Sequence, residues 1–369
     1  MQGIDAAWFA LLPAFVLLSA CLTGLSIGYA HRRQLIDHPG RRRSHDLPTP
    51  RGGGIGIVIS VVAGLVLQGF ALDGSLNWGE SQVHWGPSAL LMLIAAISLV
   101  AIVGWIDDHR GLGAGLRLGA HWAAAVLLGL PALLLLAAEW AANPAAGWMA
   151  AAMLVCCVAV VWSINLHNFM DGINGLLACQ AVFVLVVLAW ICAQAGRGDA
   201  AWTIALFAAA TLGFLPFNFP HARIFMGDVG SGVVGLLVAV AIGWQIAATP
   251  ALWMAGLIAV SAFMVDSTCT LLSRMLSGRR WYSAHREHLY QWLVRSGFSH
   301  KGTVGLYMGW NLLVVLPALY WCGALNAHAG NLSGKVQGSQ AMLAVYALAV
   351  VAWIFGKRYC LGKRRINGS

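Results

Sequence analysis

Long apolar runs alternate with short polar segments over most of the chain. Because about 20 apolar residues in a helix cross the hydrocarbon part of a bilayer, the pattern predicts an all-α, polytopic integral membrane protein with about 11 transmembrane helices. The predicted spans, read from the sequence, are residues 8–30, 54–72, 88–106, 119–138, 148–164, 175–194, 200–216, 229–247, 251–273, 303–323 and 340–356.

The composition supports a membrane protein. Of the 369 residues, 60% are hydrophobic and only 9% are charged, whereas a soluble globular protein carries about 25% charged residues. These values exclude a soluble enzyme, a disordered chain and a fibrous repeat. We expect a single transmembrane domain over residues 1–369 with no separate soluble domain.

The basic residues predict the orientation. The loops between the spans fall into two alternating sets, and one set holds twenty of the 22 Lys and Arg residues. Cytoplasmic loops are rich in Lys and Arg, so this set is predicted to be cytoplasmic, the N-terminus outside and the C-terminus inside. The same rule explains the net charge of +9, and no nucleic-acid partner is expected. The basic set comprises 31–53, 107–118, 165–174, 217–228, 274–302 and the tail 357–369.

The first predicted cytoplasmic loop combines Arg43, His45 and Arg51 with Pro48, Pro50 and three glycines at 52–54. The arginines could simply anchor the topology. Alternatively, the glycines could let backbone amides approach an anionic ligand beside these cationic side chains.

Carboxylates and amides dominate the next two loops. Asp107 and Asp108 end a span, where two adjacent acids are costly unless they are paired or bound to metal. Asn165, Asn168 and Asp171 recur every third residue and would share one face of a helix. They could serve a metal or a heterocycle.

The last two loops add further polar groups. Asp228 stands between glycines at the start of a span, which suits a hard cation or an anion, or a simple helix cap. His288 and Arg286 lie in the long basic loop and could clasp a diphosphate. Asp266, inside a span, is expected to be functional. Five such loops on one side predict a site for Mg²⁺ and a phosphorylated, lipid-linked substrate.

The ordered motifs resemble the polyprenyl-phosphate N-acetylhexosamine-1-phosphate transferases, the WecA-like relatives of MraY. The similarity covers about residues 8–325 and leaves out the C-terminal helix and basic tail at 340–369. The matching segments are DHPGRRRSHDLPTPRGGGIGI at 37–57, DD at 107–108, NLHNFMDGING at 165–175, NFPHARIFMGDVGSG at 218–232 and HREHLYQ at 285–291.

The resemblance implies transfer of a sugar 1-phosphate from a UDP-N-acetylhexosamine to undecaprenyl phosphate with release of UMP, at the bacterial inner membrane. It implies Mg²⁺, or Mn²⁺ in its place, bound by Asp228 and Asn168. It further implies a catalytic group of Asp107, Asp108, Asp228 and His288. The implied substrate-binding residues are Arg43, His45, Arg51, Asn165, Asp171, Asn174, Asn218 and Arg286.

Three features depart from the family pattern. Residue 174 is Asn and residue 285 is His where many relatives have Asp. Residues 288–291 read HLYQ where many relatives read HLHH, so diphosphate binding must depend more on Arg286 or other residues. The sugar stays open among N-acetylglucosamine, N-acetylgalactosamine and their 6-deoxy relatives, and O-antigen or a similar surface polysaccharide is the expected pathway. A homodimer is one expected assembly, and a transporter is the rival function.

Overall fold

A computed structural model describes residues 6–38, 47–71, 76–77, 84–85, 87–139, 146–280, 285–326 and 332–367. Helices account for most of these residues. They are α1 Ala6–Phe9, α2 Leu12–Arg32, α3 Ile55–Ala71, α4 Pro87–Arg110, α5 Ala114–Glu139, α6 Ala146–Phe169, α7 Leu176–Gln194, α8 Gly198–Asn218, α9 Asp228–Ala248, α10 Met254–Ala259, α11 Ser261–Leu276, α12 Leu289–Arg295, α13 His300–Trp310, α14 Leu316–Trp321 and α15 Leu332–Asn367.

The predicted all-α, multi-pass membrane fold is confirmed. Among the described residues, eight helices are long and apolar enough to cross a membrane, and the pair of helical segments Pro250–Ala259 and Ser261–Leu276, bent by 66°, would make a ninth. The apolar helices Ile55–Phe70 and Ala114–Leu130 are shorter. Every predicted run coincides with a helix or with such a broken pair, while the count of eleven crossings and the orientation stay predictions.

Helix α9 lies at the centre of the bundle, and its buried residues face α3, α4, α6 and α7. Glycine permits the closest of these contacts. A Cβ at Gly54 would lie 2.3 Å from the Cα of Gly230, so the residue just before α3 touches α9 backbone to backbone. Small residues at helix interfaces allow such approach in membrane proteins. This packing fixes the start of α9 against the start of α3.

Two short antiparallel hairpins accompany the helices. β1 Ile36–Asp37 pairs with β2 Thr49–Pro50, and β3 Leu76–Asn77 pairs with β4 His84–Trp85. The first hairpin continues into the loop before α9, because Arg51 forms a parallel bridge with Phe225. The C-terminal ends of α4 and α6 and the N-terminal ends of α5 and α9 therefore meet at one end of the bundle, next to this hairpin.

Candidate active site

Asp108 closes the N-terminus of α9. Its Oδ1 accepts a hydrogen bond from the amide of Asp228 at 3.1 Å, and its Oδ2 accepts one from Val229 at 3.2 Å. Gly227, with φ of 76°, makes room, because a Cβ there would lie 2.5 Å from Asp108 Oδ2. Asp228 is the first helical residue and makes no side-chain cap, so the alternative that it caps α9 is wrong. Asp108 fills that role and leaves the Asp228 carboxylate available.

Asp107 and Asp228 share one guanidinium group. Nη1 of Arg117 lies 2.8 Å from Oδ2 of Asp107 and 3.4 Å from Oδ2 of Asp228. The other oxygen of Asp107 accepts the amide of Leu112. Two carboxyl groups thus face a single guanidinium group, an arrangement that leaves room for a further cation. Arg117, in the first turn of α5, is a site residue that the sequence analysis counted only as a topology charge.

Asn168 lies against this group. Its Nδ2 donates to Oδ1 of Asp228 at 2.8 Å and to Oγ of Ser231 at 2.9 Å. Carboxylate and amide oxygens are ligands that Mg²⁺ prefers, and Mg²⁺ in proteins is often held by one or two carboxylates plus substrate phosphates. Within the described part of the chain, no group of three or more His, Cys, Asp or Glu side chains could hold a metal alone. The carboxylate of Asp228 and the amide of Asn168 offer the oxygen donors that suit Mg²⁺.

Arg51 and its glycines belong mainly to the scaffold. The amides of Gly53 and Gly54 donate to the carbonyls of Phe225 and Met226, each at 2.9 Å, so these two amides are not available to an anionic ligand as the loop suggested. The guanidinium of Arg51 donates to the carbonyl of Asp108. The segment thus holds the acid pair against the start of α9.

The segment after α6 supplies polar groups with different surroundings. Asn165 contacts His121, with Nδ2 3.2 Å from its Nδ1. Burial, together with the nearby charge of Asp108, raises the pKa of Asp171 to about 7.

Nδ2 of Asn174 donates to the carbonyl of Pro220 at 3.3 Å, while its buried Oδ1 accepts no hydrogen bond. An unpaired buried acceptor is costly, and a ligand donor could satisfy it.

Asn218 ties two loops together. Its Oδ1 accepts the amide of Gly175 at 2.7 Å, its Nδ2 donates to the carbonyl of Ile224 at 3.0 Å, and the residue is 4% exposed. This geometry favours a supporting role over the predicted substrate contact.

The last polar loop reaches the site through the start of α12. Glu287 pairs with Arg274 and Arg279, which fixes the approach to the helix. The imidazole rings of His285 and His288 lie 4.9 Å apart. Burial and the neighbouring His288 lower the pKa of His285 to about 4, and burial also lowers the pKa of His288. Burial therefore favours the neutral form of both rings.

A cavity of about 610 Å³ lies between α4, α5, α6 and the start of α9. Its polar wall contains Arg117, His121, Asn165, Asn168, Asp228, His285, His288 and Gln291. Its apolar wall contains Val100, Val103, Leu118, Trp122, Val158, Val161, Trp162 and Leu271. One space thus offers charged and hydrogen-bonding groups at one part and a hydrophobic surface between membrane helices at another.

Four of the predicted site residues line this cavity: Asn165, Asn168, Asp228 and His288. The lining does not include Arg51, Asp107, Asp108, Asp171, Asn174 or Asn218. Arg43 and His45 lie outside the described residues. Arg286 does not line the cavity, although it directly follows His285, which does. Sequence reasoning missed His121 and Gln291, which contribute to the wall without belonging to a recognisable charged pattern.

Fold and site together define an integral membrane enzyme with an anion- and metal-compatible centre beside an apolar groove. The model of glycosyl transferase family 4 matches residues 90–245. A decaprenyl-phosphate N-acetylglucosaminephosphotransferase of Mycobacterium leprae is 29% identical over 322 residues, covering 80% of this chain and 79% of the relative.

Two further relatives give the same picture. The undecaprenyl-phosphate alpha-N-acetylglucosaminyl 1-phosphate transferase of Escherichia coli is 26% identical, over 72% of this chain and 71% of its own. A phospho-N-acetylmuramoyl-pentapeptide-transferase of Deinococcus radiodurans is 32% identical, over 52% of this chain and 60% of its own. The chain is thus similar to glycosyl transferase family 4 over residues 90–245, and to polyprenyl-phosphate N-acetylglucosamine phosphotransferases over most of its length.

Proposed function

We propose that the chain transfers an N-acetylhexosamine 1-phosphate from a UDP-sugar to undecaprenyl phosphate, releases UMP and so begins O-antigen or a related surface polysaccharide. The cavity carries this proposal. Asp228, Asn168, Arg117 and His288 line the same space as an apolar wall between helices. A lipid phosphate and a nucleotide diphosphate are the substrates that need both surfaces at once. A transporter would instead place polar groups near the midplane.

In the proposed reaction, an oxygen of the lipid phosphate attacks the β-phosphorus of the UDP-sugar. The bond between this phosphorus and the bridging oxygen breaks, and UMP leaves with that oxygen. A phosphate monoester has a second pKa of about 6, so the nucleophile is largely ionised at neutral pH. The enzyme's main task is therefore to bring two anions together and align them.

Residues of the chain divide this task. Arg117 supplies a positive charge between Asp107 and Asp228, where phosphate oxygens would enter. His288 and His285 can donate hydrogen bonds to a diphosphate once an anion favours their protonation. A bound Mg²⁺, held by Asp228 with Asn168, would screen the repulsion between the phosphates.

The nucleotide is assigned to the segment after α6. Asn174 offers a buried Oδ1 without a partner, which can accept the N3–H of a uracil ring. Asp171, whose pKa is about 7, can donate or accept a hydrogen bond near neutral pH.

Donor identity is tested with purified enzyme, undecaprenyl phosphate and a panel of UDP-sugars, followed by mass analysis of the lipid. UDP-N-acetylglucosamine comes first, because the M. leprae and E. coli relatives are named for this sugar. We expect a lipid diphosphate sugar with one donor and equimolar UMP. No lipid product with any donor would refute the proposal.

The site is proposed to face the cytoplasm of the inner membrane. The supporting observation is the concentration of twenty of the 22 basic residues in one set of loops, together with the positive-inside rule. Reporter fusions after Arg51, Arg117, Arg223 and Arg295 should all report cytoplasm, and a fusion near Asn331 should report the outside. A cytoplasmic report at Asn331 with external reports at two of the others would overturn the orientation.

A further inference from the structure

Asp266 is buried in α11 and is saturated with hydrogen bonds from the protein. It is 2% exposed. Its Oδ1 accepts the amide of Leu289 at 2.6 Å, Nε1 of Trp353 at 3.2 Å and Oγ1 of Thr270 at 3.3 Å. Its Oδ2 accepts Oη of Tyr307 at 2.7 Å and the amide of Tyr290 at 3.3 Å. The carboxylate is therefore not a free substrate ligand, and any role that it has in function is exerted through the groups that it binds.

The donors come from four helices. Thr270 belongs to α11, the amides of Leu289 and Tyr290 begin α12, Tyr307 belongs to α13 and Trp353 to α15. The first amides of a helix have no partner within it. Asp266 supplies that partner across more than twenty residues of chain, so it fixes the start of α12 against three other helices.

His288 directly precedes α12 and lines the cavity. Its Nδ1 lies 3.9 Å from Oδ1 of Asp266, and its ring is stacked 6.0 Å from that of Phe169. Because the next two amides are bound by Asp266, the backbone from which the His288 ring projects has little freedom. The position of the ring on the cavity wall depends on that hold.

We propose that Asp266 is a positioning residue that acts through His288: by binding the first two amides of α12, it holds this imidazole where the diphosphate of the donor binds. Hydrogen bonds from Tyr307 and Trp353 to the same carboxylate link the position of His288 to α13 and α15. The inference rests on the proposed function for the role of His288. The hydrogen bonds from the first two amides of α12 to Asp266 do not depend on the proposed function.

Asp266→Asn is the informative substitution, because it keeps the shape and replaces one oxygen by an NH₂ group. In the wild type, each oxygen accepts one of the first two amides of α12. In Asp266→Asn, the NH₂ group replaces one of these oxygens in either orientation of the side chain, so one of the two amides loses its acceptor. We expect kcat/KM to fall at least about tenfold, mostly through a higher KM for the UDP-sugar.

A double-mutant cycle separates positioning from general damage. His288→Ala alone should lower kcat/KM by about a hundredfold. If Asp266 acts through His288, adding Asp266→Asn to His288→Ala should change kcat/KM by less than about threefold. The matched control is Gln245→Leu, since Gln245 is also fully buried and binds the amide of Gly256, away from the site. Gln245→Leu should lower the melting temperature and leave KM unchanged in both backgrounds.

Hydrogen–deuterium exchange supplies a readout without turnover. In Asp266→Asn, the peptide over 286–295 should exchange faster, while the start of α9 should keep its protection. Unchanged exchange over 286–295, or equal losses from Asp266→Asn in both backgrounds, would overturn the proposal. A different result separates the two proposals. If the wild type forms no lipid product but Asp266→Asn still exchanges faster over 286–295, the proposed function is wrong while the contact between Asp266 and α12 is confirmed.

Discussion

Asp228→Asn is expected to lower sugar-phosphate transfer by about a thousandfold while the amount of protein in the membrane stays normal. The substitution removes the carboxylate that faces both Arg117 and Asn168. Loss of one group that stabilises developing charge typically costs a hundred- to a thousandfold, or about 3–4 kcal/mol. Initial rates with saturating donor and lipid, compared with the melting temperature of the purified protein, measure the effect.

Ser231→Ala provides the matched control for this substitution. It removes the second acceptor of the Asn168 amide and leaves Asp228 intact, so we expect only a few-fold loss. Chelation should stop the wild type, and added Mg²⁺ should restore it. Full activity of the wild type in excess chelator would show that transfer does not require a metal ion.

Asp107→Asn and Asp108→Asn are expected to fail for different reasons. Asp107 holds the Arg117 side chain beside Asp228, so Asp107→Asn should cost at least about a hundredfold in rate with little loss of stability. Asp108 binds the first two amides of α9. Asp108→Asn should therefore lower both the melting temperature and the apparent affinity for Mg²⁺.

The pH profile distinguishes organisation from proton transfer. If Asp107 were an obligatory base, Asp107→Asn would recover as the pH rises past the second ionisation of the phosphate, about 6. We expect the defect to persist at every pH, because the nucleophile is already ionised. Rates near the wild type in both single variants would show that neither acid matters.

Most of the architecture could be predicted from the sequence, because a membrane helix is determined by the residues within it. A run of about 20 apolar residues must form a helix in a bilayer regardless of its neighbours, and each predicted run coincides with helix in the structure. The convergence of the 107–108, 168 and 228 positions was also predictable. Alternating crossings place these helix ends on the same side of the bundle.

The sequence did not predict which polar residues face the cavity and which hold the scaffold together, since this depends on contacts between distant loops. The pairing of Gly53 and Gly54 with the 225–226 carbonyls spans about 170 residues, and nothing local distinguishes it from a ligand-binding glycine loop. Likewise, Asp107 and Asp108 are adjacent acids in sequence. Only the packing of α4 against α9 turns one towards Arg117 and the other onto helix amides.

The position of an isotopic label tests the central claim most directly. Purified enzyme is given undecaprenyl phosphate and a UDP-N-acetylhexosamine that carries ³²P in its β-phosphate. Because attack occurs at the β-phosphorus, the account predicts that the label enters the lipid product and that the released nucleotide is unlabelled UMP. Release of labelled UDP with an unlabelled lipid would mean that the sugar alone was transferred and would contradict the account.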